Sequence, residues 1–278
     1  ASNSVLGVLP QAANSVGADV IGFKATNNAV NPISALNGSQ KAVMLLNIEP
    51  DMDWAGSEAA KQALLQAQTV IALTPFQSES LRELADVMLP VTPSTETSGS
   101  FVSMEGRLQS FHGVVKPYAQ SRPMWKVLRV IGNELDLDGF DYTSSEEVLA
   151  RACINSDSIV GKLNNQVQNV AATGLQAASA LVRVGGVGIY QTDSVVRRSA
   201  PLQATVHAAI PAASVHPKTL AALQLTDAAQ VVVKSGAASV LVTVVADETV
   251  AENVVSLPLH PQNKVLGAMN NAIELGRG

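Results

Sequence analysis

Two pairs of carboxylates and four histidines are the side chains of this chain best suited to proton transfer or metal binding. Glu96 and Glu105 flank a polar stretch, TETSGSFVSME, that follows an apolar run ending at Pro90. A carboxylate pair in a loop can divide acid and base roles between its members. The other reading is structural: both accept backbone N–H bonds, Arg107 is an ionic partner, and Gly99 and Gly106 supply positive φ. Glu146 and Glu147 belong to Ser144-Ser145-Glu146-Glu147, a capping box in which Ser144 covers the Glu147 amide and Glu147 reaches back. The helix it opens explains that pair. His112, His207, His216 and His260 lie far apart, none at the i, i+4 spacing of a helical zinc site, and read as surface or hydrogen-bonded residues.

Other chemistries find less support. Cys153 is the single cysteine. Alone it makes no internal disulfide and holds no zinc or iron–sulfur cluster, and it falls on the apolar face of an expected helix as a small hydrophobe. Gly185-Gly186-Val187-Gly188 lacks the following helix that a phosphate-cradling turn requires, and Asn47 to Asp53 contains no glycine, so a dinucleotide site is not expected. No Gly-x-Ser-x-Gly elbow is present. Arg197-Arg198, an isolated basic pair, reads as an interface or carboxylate anchor and not as a polyanion site.

These residues need elements to hold them. Lys41–Ile48 and Thr69–Leu73 are short continuous apolar runs, as expected for strands buried on both faces, and Val87–Leu89 is a third. Between them Ser57 and Ser78 offer N-caps for helices reaching Gln68 and Ala85. Strand, helix, strand, helix, strand at this spacing predicts a parallel sheet covered by helices. Pro123–Leu135 reads as a helix with proline in its first turn. Further on, Gln230–Lys234 and Ala238–Val245 form a hairpin around Ser235-Gly236, Val254–Leu257 is another strand, and Pro217–Leu223 a short helix. The expected division is an α/β domain over 1–155, an irregular connection over 156–199, and a small β-barrel over 200–278.

The chain has 278 residues, 47% hydrophobic and 15% charged, with a net charge of −5 and a mean hydropathy of +0.20. No run approaches the roughly 20 apolar residues of a membrane-spanning helix. Scattered Lys and Arg and 4% aromatic residues argue against a nucleic-acid ligand. An apolar composition suits a subunit that lives against partners. The chain begins Ala-Ser-Asn-Ser, with neither Met nor secretory signal, which reads as a fragment of something longer.

From Ala85 to Trp125 the order of residues is specific: Ala-Asp-Val-Met-Leu-Pro, then Glu96, Gly99-Ser100, Glu105-Gly106-Arg107 and Arg122-Pro123-Met124-Trp125. This set resembles the molybdopterin oxidoreductase superfamily. Ala13–Ala18, Leu46–Asp51, Phe111–Pro117 and Val196–Gln203 resemble one branch of it, the large iron–sulfur subunit of bacterial NADH:quinone oxidoreductase, respiratory complex I. The resemblance implies a Rossmann-like parallel-sheet domain of the molybdopterin oxidoreductase type, followed by a double-psi β-barrel. It implies a parent that passes electrons from NADH to quinone through 2Fe-2S and 4Fe-4S clusters bound outside this stretch. The fragment itself is then a scaffold with no cofactor and no catalytic, cofactor-binding or metal residue of its own. Its partners would be other subunits of the hydrophilic arm, peripheral on the cytoplasmic side of the inner membrane and not inserted in it. Ser103 stands where catalytic relatives often carry Asn, which implies no pterin contact there. A fragment of a formate dehydrogenase-like molybdopterin enzyme is the other reading.

Overall fold

The computed structural model describes residues 9–10, 12–23, 36, 40–54, 57–152, 156–161, 180–267 and 269–277. They fall into two compact units, one of 1–35, 73–75 and 88–172, the other of 36–72, 76–87 and 173–278. Cys153 and positions 162–179 lie outside the described residues, and with them the readings made there.

The parallel sheet is present as three strands, β1 (Ala42–Leu46), β2 (Thr69–Thr74) and β3 (Val87–Pro90), in that order. Val70, Ala72 and Leu73 are fully buried, so the central strand is apolar on both faces, as its continuous hydrophobic run requires. The run around β1 stops at Glu49-Pro50, because proline fixes φ and starts the short helix Pro50–Asp53. The helix from Ser57 ends at Leu65, three residues earlier than expected, where Ala67 donates to the Leu64 carbonyl in a tightened last turn. Helix Glu79–Leu84 is capped as its sequence predicts: the Ser78 hydroxyl accepts the Leu81 N–H at 3.2 Å.

A two-stranded hairpin, β4 (Gly99–Val102) and β5 (Leu108–Phe111), follows. Here one expectation fails. Gly106 does have positive φ, +80°, but Gly99 does not. Glycine sits there because a Cβ would stand 2.9 Å from the Phe111 ring across the ladder. The hairpin ends on Ser103, whose hydroxyl accepts the Arg107 N–H at 3.2 Å. Helix Met124–Glu134 begins one residue after Pro123, and Ser144 caps helix Ser145–Arg151. Glu147 reaches back one residue further than the usual box, taking both the N–H and the hydroxyl of Thr143.

The barrel closes with six strands: β6 (Leu181–Val184), β7 (Ala213–Val215), β8 (Gln230–Ser235), β9 (Ala238–Ala246), β10 (Val254–Ser256) and β11 (Ala272–Arg277). Their order is β10-β6-β11-β8-β9-β7. The β8–β9 hairpin turns at Gly236, φ +58°, as expected. β6, β7 and β11 were not legible in advance. Val231, Val233, Val244, Val255, Leu257 and Ile273 fill the interior, each worth about 1.5–3 kcal/mol of burial.

β6 carries an unexpected core residue. Arg183 is wholly buried, 0% exposed. Its Nε donates to the Leu257 carbonyl at 3.0 Å, and its terminal nitrogens to the Gly267 and Pro258 carbonyls and to Asn263 Oδ1 at 2.8 Å. Burial lowers the affinity of this guanidinium for its proton, and neutral acceptors rather than a carboxylate hold it.

Candidate functional site

In a parallel α/β sheet, ligands gather outside the carboxyl ends of the strands. At the end of β1 the chain places three acids at every second position, Glu49, Asp51 and Asp53. Glu49 is buried just ahead of the short helix that Pro50 initiates, and Asp51 and Asp53 lie on that helix. All three are met by cations of the same unit.

Glu49, 3% exposed, takes Arg198 on both carboxylate oxygens, one contact at 3.1 Å, and Arg197 at 3.2 Å. Arg197, 5% exposed, also reaches Asp53 at 2.8 Å. The Arg198 guanidinium lies 4.4 Å from the centroid of the Phe76 ring, a cation–π contact on its other side. Asp51 meets Lys264 at 3.3 Å and the Ser80 hydroxyl. Burial pushes the Asp51 carboxyl up, but Ser80 and Lys264 outweigh it and hold it below its ordinary value. Asp53 in turn accepts the Glu49 N–H at 2.7 Å.

Arg197-Arg198 is therefore a carboxylate anchor, as its isolation in sequence suggested. Sequence reasoning missed its partners. The alternation Glu49, Asp51, Asp53 beside Pro50 is the signal that was there.

The other candidates separate. Glu96 accepts the Tyr118 N–H at 2.9 Å, one half of the structural reading. Glu105 is exposed on the hairpin turn and forms no ion pair with Arg107, so that half is corrected. The pocket beside Glu96 does not include Glu105. His112 approaches Glu146 at 3.9 Å, His207 packs edge-on against Tyr190, and His216 Nδ1 caps helix Pro217–Ala222 through the Lys218 N–H. His260 Nδ1 accepts the Gln262 N–H. Among the described residues no group of three or more His, Cys, Asp or Glu could hold a metal ion. Gly185 has φ +153°, and a Cβ there would stand 2.8 Å from the Pro258 backbone. The glycine permits a close approach of the chain to the Pro258 backbone.

Residues 2–134 match the family described as molybdopterin oxidoreductase, and residues 181–275 match the molydopterin dinucleotide binding domain. Both matches are to domains of the molybdopterin oxidoreductase type. Over 65 residues, 23% of this chain, it is 38% identical to a putative formate dehydrogenase of Staphylococcus aureus. Over 98 residues, 35% of the chain, it is 31% identical to the NADPH-Fe(3+) oxidoreductase subunit alpha of Geobacter sulfurreducens. Those stretches cover 6% and 12% of the two relatives. Acetylene hydratase from Pelobacter acetylenicus superposes with a TM-score of 0.58 at 14% identity, over 86% of this chain and 44% of the hydratase, a likeness of fold. Among the described residues no helix is long and apolar enough to cross a membrane.

The second domain implies a pterin dinucleotide, whose diphosphate needs uncommitted donors and room. At the end of β1 this chain offers neither. The guanidinium groups of Arg197 and Arg198 are committed to Glu49 and Asp53, and the Lys264 ammonium to Asp51. Arg197 Nε is buried without an acceptor, but one N–H does not hold a diphosphate. The adjoining cavity, lined by Met52, Val187, Gln191, Leu259, His260 and Lys264, holds about 10 Å³. These residues do not fit such a group at this edge.

Proposed function

We propose that this chain is a scaffold part of the large iron–sulfur subunit of an NADH:quinone oxidoreductase. The parent would pass electrons from NADH to quinone through iron–sulfur clusters bound elsewhere. The division into 1–155, 156–199 and 200–278 would be its domain plan, with the 156–199 stretch lending β6 to the barrel, and other subunits of the hydrophilic arm its partners. The observation that carries this reading is the closure of the β1 end. Two segments that resemble the large iron–sulfur subunit, Leu46–Asp51 and Val196–Gln203, supply the acid and the base of one buried network. Ion pairs occupy a strand end of the kind where ligands of parallel sheets ordinarily gather, which suits a fold kept for its surfaces.

The experiment is isolation of the full-length parent from its native membrane in mild detergent, with mass spectrometry of what accompanies it. Flavoprotein, quinone-site and membrane pump subunits in one particle support the scaffold reading. A small assembly without them refutes it.

The second reading is a fragment of a formate dehydrogenase-like molybdopterin enzyme, favoured by the 38% identity to the Staphylococcus aureus relative. Molybdenum and pterin in the purified parent would select it.

A further inference from the structure

We propose that the polar pocket between the 112–117 loop and the start of helix Met124–Glu134 binds a small, multiply charged, phosphate-bearing ligand. This assignment does not rest on the scaffold reading. The pocket has a volume of about 730 Å³, within the range of small-molecule sites.

Lys116, Arg122 and Lys126 line it, with His112, against a single carboxylate, Glu96. Glu96 is already committed to the Tyr118 N–H. None of the three cations forms an ion pair among the described residues. Arg122 donates from Nη1 only to the carbonyl of its neighbour Ser121. Lys126 rests 5.2 Å from the centroid of the Trp125 ring. In a chain of net charge −5, three unmatched cations in one concavity concentrate potential of the opposite sign and draw anions to it.

The wall also holds an unanswered donor. Trp125 lines the pocket, and its Nε1 is buried with no acceptor, a condition that costs about 1–3 kcal/mol. The backbone is fixed before any ligand arrives. Arg122 is bridged to Val91 and accepts the Thr92 N–H at 3.0 Å, while Val114 and Val115 both donate to the Thr95 carbonyl.

A phosphate brings up to two charges and three acceptor oxygens per group, matching several cations and an indole N–H better than one carboxylate does. A second pocket of about 530 Å³ shares Arg122 and Lys126 and is floored by Leu89, Val127, Val130 and Ile131. It offers an apolar seat for an organic group attached to the phosphates. Arg129 lines it too, its Nε buried without an acceptor.

The test is titration of the intact chain with tripolyphosphate and with ADP, by calorimetry and by Trp125 fluorescence in a Trp54→Phe background. Saturable binding is expected, weakened about tenfold in Lys116→Gln/Lys126→Gln and weakened by salt above about 0.1 M. Trp125→Phe, which removes the indole N–H, weakens binding in calorimetry. Lys116 and Lys126 are exposed, so an unchanged melting temperature verifies the fold, and Lys116→Gln alone serves if the double variant melts early. ADP binding tighter than tripolyphosphate assigns the ligand to nucleotides, and equal binding assigns it to phosphate alone; both support the site. No saturable binding, or equal affinity in wild type and double variant, overturns it. So does an acidic peptide of equal charge that binds more tightly than either probe.

Discussion

Glu49 and Arg198 stand 149 positions apart in the chain and meet as a two-point carboxylate–guanidinium pair. Arg197 and Phe76 close the remaining sides. At 3% exposure the Glu49 carboxylate has almost no water to turn to, so its stability rests on these cations. A buried pair of this kind is weak evidence for net stabilisation, but either half left alone is strongly unfavourable.

Glu49→Ala is expected to lower unfolding free energy by about 2–3 kcal/mol, because Arg197 keeps only Asp53 as an ionic partner and Arg198 only the Ser194 carbonyl and the Phe76 ring. Arg198→Ala should cost a similar amount, and the double variant clearly less than the sum. Urea denaturation of the four proteins gives the coupling energy. Additive losses would show that the pair does not act as a unit.

Gly185 and Gly186 offer a paired test. Gly185→Ala brings a Cβ within 2.8 Å of the Pro258 backbone at positive φ, whereas Gly186→Ala meets nothing within 4 Å. We expect the first to lose about 2 kcal/mol or more and the second to stay within about 0.5 kcal/mol of wild type. Thermal melts compare them directly.

Asn263 is 1% exposed and answers Arg183 through Oδ1, while its Nδ2 donates to the Pro258 carbonyl at 2.8 Å. Asn263→Ala should cost about 2–3 kcal/mol, since it removes the one side-chain acceptor of a buried cation. Asn263→Asp adds the charge that Arg183 lacks and should recover part of that loss. Equal destabilisation in both variants would show that volume alone matters at this position.

His260 supplies a pH dependence. Burial lowers its proton affinity below the ordinary value of about 6.5, partly offset by its bond to the Ala208 carbonyl. The unfolded chain therefore takes up the proton first on acidification. Stability should be fully present above about pH 6.5 and fall as pH drops toward the folded value. His260→Gln should flatten that part of the profile. Chemical denaturation between about pH 5 and 8 is the measurement, and an unchanged slope in the variant would assign the effect to other groups.

The sequence made the α/β elements legible where a local rule sufficed. The continuous apolar runs around Leu45 and Val70, the Ser78 and Ser144 caps and the Gly236 turn all depend on neighbours a few residues away. β6 was hidden because Arg183 interrupts its apolar run, and only the ring of carbonyls around it makes that charge acceptable in a core. β7, three residues long, is too short to show a period. The β1 network was legible only in halves. Arg197-Arg198 looked like an anchor and Glu49-Pro50 like a strand stop, but no local pattern links two segments this far apart. Gly99 was misread because a glycine in a turn-rich stretch suggests positive φ, while the actual constraint is the ring of Phe111 across the ladder.

The strand order of the barrel sets a timetable for its assembly. β6 pairs with β10 on one side and β11 on the other, and both follow it in the chain. During synthesis β6 leaves the ribosome as a strand with neither neighbour, and waits while all the rest of the barrel is made. Nascent strands in that position are the ones that pair with the wrong chain. A guanidinium midway along β6 makes such a pairing costly, because an apolar partner would bury Arg183 without the Leu257, Pro258 and Asn263 acceptors that hold it in the barrel.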